Sequence, residues 1–352
     1  MHNQNEKAAL AERLRGQKLI IPDLHPVFAH WPCGQNKHYQ VMKEVLDKRF
    51  AEQGLDEKTI KGLSAMNPAL LAARWWPRAS TDQYTILADQ IVWFGHFDDL
   101  IEGMIHDPSA ASDLRAATKI LVRQSLGLVE PGEGDTSCIT NPLVLGFRNI
   151  GERVCKYYDE EQRKILVGHF DNYIDSTVLE AQADLSENLP SLKRYWEVRI
   201  LTSGMGTLLG FTELAANAKL PAQLVRSAAY DTLWTTTVVI NSIVNDLISF
   251  KKEMKSGSVL SSVAILYQQV DNLDAAVQMS IAHLKILVQE FDRTANMVLS
   301  KFPMEPTEIE AVSRIIDTMR MVNTGNLEWS LEAERYGVCH AMTSTGQIEL
   351  VL

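Results

Sequence analysis

Apolar positions recur at three- and four-residue spacing through most of this chain, and few runs alternate with period two, so the pattern predicts helices nearly throughout. Amphipathic helices are expected at 37–53 and 56–74, and Pro77 ends the second. Ser80 or Thr81 then caps a long helix running to about Gly103, with Asp82 well placed in its first turn. Further helices are expected at 109–126, 141–157, 160–184, 190–214, 221–252, 257–269, 273–301 and 306–336. Between two of them, 127–140 is rich in Pro, Gly and acidic residues and reads as a surface loop. Residues 1–36, with Pro22, Pro26, Pro32 and Gly34, read as an irregular N-terminal arm. Residues 337–352 read as a C-terminal tail without periodicity, leaving 37–336 as one all-α domain.

One stripe carries groups that an apolar face should not. Tyr84, Leu87, Ala88, Ile91, Phe94 and Gly95 lead directly into Asp98, Ile101 and Glu102, with Asp99 alongside. An unpaired buried carboxylate costs several kcal/mol or takes up a proton, so a positive group should meet these residues, and a divalent cation is the simplest. A second stripe, Trp234, Val238 and Asn241, ends in Asn245, Ser249 and Glu253, which follow i, i+4, i+8 and stack about 6 Å apart on one face. An amide oxygen, a hydroxyl and a carboxylate form a hard-oxygen set suited to Mg²⁺, and the absence of His or Cys from both clusters argues against zinc. Either cluster alone is compatible with a solvated helix face. Their joint occurrence, each at the end of an apolar stripe, favours a metal site.

Composition narrows the class. With 352 residues, 46% of them hydrophobic, the chain can build a large core without disulfides. A net charge of −10, with no extended run among the 34 Lys and Arg, argues against a nucleic-acid surface. Cys33, Cys138, Cys155 and Cys339 are scattered, which suits free thiols in a reducing compartment. The polar start is unlike a signal peptide, and the most apolar stretch, near 234–250, is broken by Asn241, Asn245 and Asp246, so a cytoplasmic protein outside the membrane is expected.

The two acidic clusters, Asp98-Asp99-x-x-Glu102 and Asn245-Asp246-x-x-Ser249-x-x-x-Glu253, resemble the metal-binding motifs of class I terpene cyclases of the microbial sesquiterpene synthase type. Trp329-Ser330 followed by Arg335-Tyr336 is similar to that family's terminal aromatic and Arg-Tyr pair, and Arg199 to its diphosphate-sensing arginine. The resemblance spans about residues 75–340. It implies a helical bundle around an apolar cavity, in which three Mg²⁺ ions bind the diphosphate of a prenyl substrate, preferably farnesyl diphosphate. Asp98 and Glu102 would hold two ions, with Asp99 in support, and Asn245, Ser249 and Glu253 the third. Arg199, Lys252, Arg335 and Tyr336 would bind diphosphate. Thr202 and Ser203 would occupy the linking and triggering positions, and Phe94, Trp329 and Trp75 would line the cavity. Glu102 departs from the more frequent aspartate and Ser203 from the usual glycine. By analogy the protein would be a homodimer. A chain-elongating prenyl diphosphate synthase is the near alternative, disfavoured because Asn245, Ser249 and Glu253 replace a second aspartate-rich motif. A non-catalytic prenyl-binding helical protein is the alternative from another class.

Overall fold

The computed structural model describes residues 5–130 and 132–352; residues 1–4 of the expected arm and Pro131 of the expected loop lie outside them. The first elements correct the reading of the arm as irregular. Helix α1 (Glu6–Leu14), capped by the Asn5 side chain, leads into strand β1 (Lys18–Ile21). The tail is corrected with it, since β2 (Ile348–Val351) pairs antiparallel to β1, Lys18 opposite Val351 and Ile21 opposite Ile348. Leu19, Ile21, Ile348 and Leu350 are buried, so the pairing closes chain start against chain end over the core.

Helices follow as α2 (Tyr39–Glu52), α3 (Glu57–Met66), α4 (Pro68–Trp75), α5 (Thr81–Glu102) and α6 (Pro108–Ser125). The expected helix at 56–74 breaks at Asn67, whose left-handed backbone (φ 49°) ends α3 while its side chain caps α4 ahead of Pro68. Next come α7 (Pro142–Leu145), α8 (Phe147–Val154), α9 (Glu160–Leu185), α10 (Leu192–Thr202), α11 (Met205–Leu209), α12 (Thr212–Ala216) and α13 (Ala222–Val225). The chain ends in α14 (Ala228–Ser256), α15 (Ser262–Val270), α16 (Leu273–Lys301) and α17 (Pro306–Glu332). The stretch expected as one helix at 190–214 turns at Gly204, which is left-handed (φ 67°). Helix α17 stops at Glu332, short of the expected 336, so Arg335 and Tyr336 stand on a turn.

Helix α14 packs against α16 and α17, α17 against α4, α4 against α5, and α9 against α6, α10 and α11. At Gly325 α17 approaches α4 so closely that an added Cβ would lie 2.2 Å from the Arg74 carbonyl oxygen, a crossing only glycine permits. Helix α5 is set by a capping box between Ser80 and Gln83 and by an aromatic cluster in which Trp93 stacks on Phe97 (5.2 Å, 5°) and meets Phe147 and Phe170. Each aromatic pair adds about 0.5–1.5 kcal/mol beyond its buried area, so the helix that carries the first acidic cluster is rigidly held. No described helix is long and apolar enough to cross a membrane.

Candidate active site

Between these helices lies a cavity of about 890 Å³, within the roughly 300–1,000 Å³ usual for small-molecule sites. Helices α4, α5, α9, α10, α11, α14 and α17 and the turn after α17 supply most of its walls. Every site residue singled out from the sequence lines it: Phe94, Asp98, Asp99 and Glu102 from α5, Arg199, Thr202 and Ser203 at the end of α10, and Asn245, Ser249, Lys252 and Glu253 from α14. Trp75, Trp329, Arg335 and Tyr336 complete that set. Leu71, Ile91, Met205 and Leu208 give part of the wall a hydrocarbon surface, while Gln182, Asp184, Arg194, Asn241 and Ser242 add further polar groups.

The acidic wall is short of positive charge. Asp89, two turns earlier on α5, shows what an ordinary buried aspartate has, ion pairs to Arg49 at 2.5 Å and Arg153 at 3.2 Å. Asp98 instead accepts one hydrogen bond from the Tyr173 hydroxyl at 2.6 Å. One carboxylate oxygen from each of Asp98, Glu102 and Glu180 falls within a 4.8 Å cluster, and no Lys or Arg among the described residues forms an ion pair with any of the three. Burial pushes Asp98 up, the Tyr173 bond opposing and the Asp99 charge reinforcing the rise. Glu102, open to solvent at one edge, is pushed up to about 8 by burial in the cleft and then by Asp98 and Asp99. Glu180 is held well above the carboxylate range by burial and by Asp98. Crowded carboxylates that resist ionisation for want of a counter-ion match the donor set of a hard divalent cation.

The facing wall is tied into a network. Asn245 accepts a hydrogen bond at Oδ1 from Arg199 Nη2 (2.8 Å) and donates from Nδ2 to the Tyr336 hydroxyl (2.9 Å). Lys252 Nζ donates to Glu253 Oε1 at 2.9 Å. Ser249, buried one turn from each, makes no side-chain hydrogen bond among the described residues, which leaves its hydroxyl free for a ligand. Arg335 is raised, the burial penalty outweighed by Tyr336, Asp99 and Asp98 across the cavity. Trp329 is held by its indole N–H to the Met66 carbonyl (2.7 Å) and lies edge-on to Tyr336. Trp75 meets the cavity; Trp76 packs edge-on against it and does not line the space. No hydrogen bond joins Thr202 to Arg199 among the described residues, and the Ser203 hydroxyl accepts from the Met205 amide at 3.4 Å.

Among the lining residues not singled out from the sequence are Glu180, Tyr195 and Lys7; Asp246 stood in the second motif without a role, and Tyr173, behind the wall, was also missed. Glu180 had a signal, because Phe170, Tyr173, Thr177, Glu180 and Asp184 form an apolar stripe that turns acidic as the one on α5 does. Lys7 could not be found locally. It reaches the cavity mouth because α1 docks on the end of α9, with the Lys7 ammonium donating to the Ala183 carbonyl and the Leu189 amide to Glu6 Oε2 at 3.1 Å.

Residues 89–290 match the family model described as terpene synthase family 2, C-terminal metal binding. The sesquiterpene cyclase hepA of Aspergillus oryzae is 27% identical over 99% of this chain and 97% of its own. Pristinol synthase of Streptomyces pristinaespiralis is 28% identical over 87% of this chain and 83% of its own. Among solved structures, a point variant of cucumene synthase superposes with a TM-score of 0.72 at 19% identity, covering 87% of this chain and 99% of that one, which supports the all-α fold. With more than half of its residues inside the family model, the chain belongs to terpene synthase family 2, the metal-binding terpene cyclases of class I fold.

Proposed function

We propose that this terpene cyclase is a Mg²⁺-dependent sesquiterpene synthase that ionises and cyclises farnesyl diphosphate and releases diphosphate. The observation that carries the reading is the convergence of Asp98, Glu102 and Glu180 on one wall and Asn245, Ser249 and Glu253 on the other, at the polar end of a single hydrocarbon cavity. These six side chains would hold the cations, with Asp99 in reserve at the rim. When bound, Mg²⁺ supplies Lewis-acid stabilisation of the diphosphate leaving group. The chain does the rest. Arg199, Lys252, Arg335 and the Tyr336 hydroxyl offer donors to phosphate oxygens on the sides the carboxylates leave open. Phe94, Trp329 and Trp75 present aromatic faces that favour a carbocation without offering it a nucleophile, and the aliphatic wall excludes water. The relative named sesquiterpene cyclase, 27% identical over 99% of this chain, supports a C15 substrate.

The test is incubation with geranyl, farnesyl and geranylgeranyl diphosphates and Mg²⁺, products analysed by gas chromatography, alongside Asn245→Ala and Glu253→Ala. A cyclic C15 product from farnesyl diphosphate, lost in both variants while their helical circular dichroism is kept, is expected. Linear, longer diphosphates made on adding isopentenyl diphosphate would establish the chain-elongating alternative instead. Wild-type yield from either folded variant would overturn the metal assignment.

A further inference from the structure

Asp246 belongs to the second acidic motif, yet its carboxylate is spent on protein. Only 3% exposed, it accepts three hydrogen bonds at Oδ2: from the Tyr195 hydroxyl (2.7 Å), the Ser262 amide (2.9 Å) and the Ser262 hydroxyl (2.7 Å). Its Oδ1 lies 3.6 Å from Arg199 Nε, a buried nitrogen that makes no hydrogen bond. One carboxylate thus joins α14 to α10 through Tyr195 and Arg199, and to the first residue of α15 through Ser262. The segment between α14 and α15, Gly257 to Ser261, lines the cavity mouth.

We propose that Asp246 is a positioning residue: it anchors Arg199 from behind and ties that guanidinium to segment 257–261, so that anion recognition and the cavity mouth share one support. The acceptors around Arg199 divide in two, and the role of each rests on the proposed metal and diphosphate chemistry. Arg199 has two partners on α14, Asn245 Oδ1 and Asp246 Oδ1. The first is an atom that a cation requires. Once a cation takes it, Arg199 Nη2 is released and Asp246 remains to fix the direction of the side chain. A guanidinium is a planar, rigid fork, so holding it at the Nε edge keeps the terminal nitrogens aimed at an incoming anion. The three donors on Oδ2 hold the carboxylate itself still, and they include both polar groups of the residue that closes the mouth segment.

Asp246→Asn separates the two halves of this role. Its amide oxygen can still accept from Tyr195 and Ser262, while its amide nitrogen faces Arg199 Nε donor to donor and the charge is gone. By calorimetric titration with inorganic diphosphate in the presence of Mg²⁺, the variant is expected to bind about 10-fold or more weakly, with helical circular dichroism unchanged. Combined with Arg199→Ala it should bind no more weakly than Arg199→Ala alone, because the effect passes through Arg199. Ser262→Ala keeps the charge and removes one donor. It should speed hydrogen exchange over 257–261 in the Mg²⁺ and diphosphate complex and weaken affinity severalfold.

Wild-type affinity in Asp246→Asn, or a loss that adds in full to that of Arg199→Ala, would overturn the proposal. If Asp246→Asn does not fold, unchanged exchange and affinity in Ser262→Ala would overturn it. A wild-type protein that binds no diphosphate with Mg²⁺ would sink the proposed function, and this inference with it, whereas a failure confined to the variants leaves that function standing.

Discussion

Replacing Gly204 with alanine should damage both the fold and the acidic wall through one physical chain. Gly204 sits in the left-handed region (φ 67°) between α10 and α11, and a Cβ there would lie 1.9 Å from Phe94 Cε2 and 2.2 Å from Cζ. The left-handed backbone costs a non-glycine residue about 1–2 kcal/mol. The ring must also retreat by about 1.5 Å to regain ordinary contact, and overpacking of that kind costs roughly 1–3 kcal/mol. The sum, about 2–5 kcal/mol, corresponds to about 3–7 °C in Tm for a chain of 352 residues at roughly 2.1 cal/mol/K per residue. Phe94 cannot move alone. Its ring packs on Tyr173 at 5.3 Å, and the Tyr173 hydroxyl holds Asp98. If Asp98 holds a cation as proposed, a displacement near 1 Å there lowers turnover by about 10²-fold, so activity should fall further than stability alone explains.

The assay is thermal unfolding and product formation in a double-mutant cycle with Phe94→Leu. With the ring removed, Gly204→Ala should cost only its backbone share, about 1–2 kcal/mol. An equal cost in both backgrounds would show that the clash with Phe94 does not transmit the effect, and a wild-type Tm for Gly204→Ala would refute the reasoning outright.

Two further outcomes follow from the acidic wall. Burial and the neighbouring carboxylates push Glu102 from 4.5 up to about 8, so the folded protein holds an extra proton there between those values, and Asp98 and Glu180 are displaced in the same direction. That contribution to stability is present in full below about pH 4.5 and is lost as pH rises through about 8; the metal-free Tm should therefore decline over this window and Glu102→Gln should flatten the decline. An unchanged slope in Glu102→Gln would assign the decline to other groups. Mg²⁺ and inorganic diphosphate together should raise Tm by more than the sum of their separate shifts, and additive shifts would mean that they occupy independent sites.

How much could be read from the sequence depended on the distance over which each feature is decided. The stripe from Tyr84 to Glu102 and the Asn245, Ser249, Glu253 series repeat within one helix, so their faces follow from spacing alone, and the Ser80 cap is equally local. Helix breaks were harder. Gly204 sits inside good apolar periodicity, and only its packing on Phe94 shows why the chain turns there. The β1–β2 pair was out of reach, because each strand has four residues and its partner lies at the other end of the chain. Asp246 shows the same limit at the scale of one residue. It follows Asn245 directly but points about 100° around the helix, toward Tyr195 and Ser262, which no pattern on α14 reveals.

On the proposed function, the arrangement of charge would make the site need cation and anion together. Asp98, Asp99, Glu102, Glu180 and Glu253 would repel an unaccompanied diphosphate, while Arg199, Lys252 and Arg335, spread among them, would oppose cations arriving alone. In the free protein the two sets compensate one another only in part: Lys252 rests on Glu253, Arg199 on Asn245 and Asp246, and Asp98 on a tyrosine hydroxyl. Apart from the Asp246 contact, which holds Arg199 from behind, each of these would occupy an atom that a ligand of the proposed kind uses. Binding of a polyanion with its cations would exchange weak internal pairs for strong external ones, pairing the acids with cations and the bases with phosphate oxygens in one step.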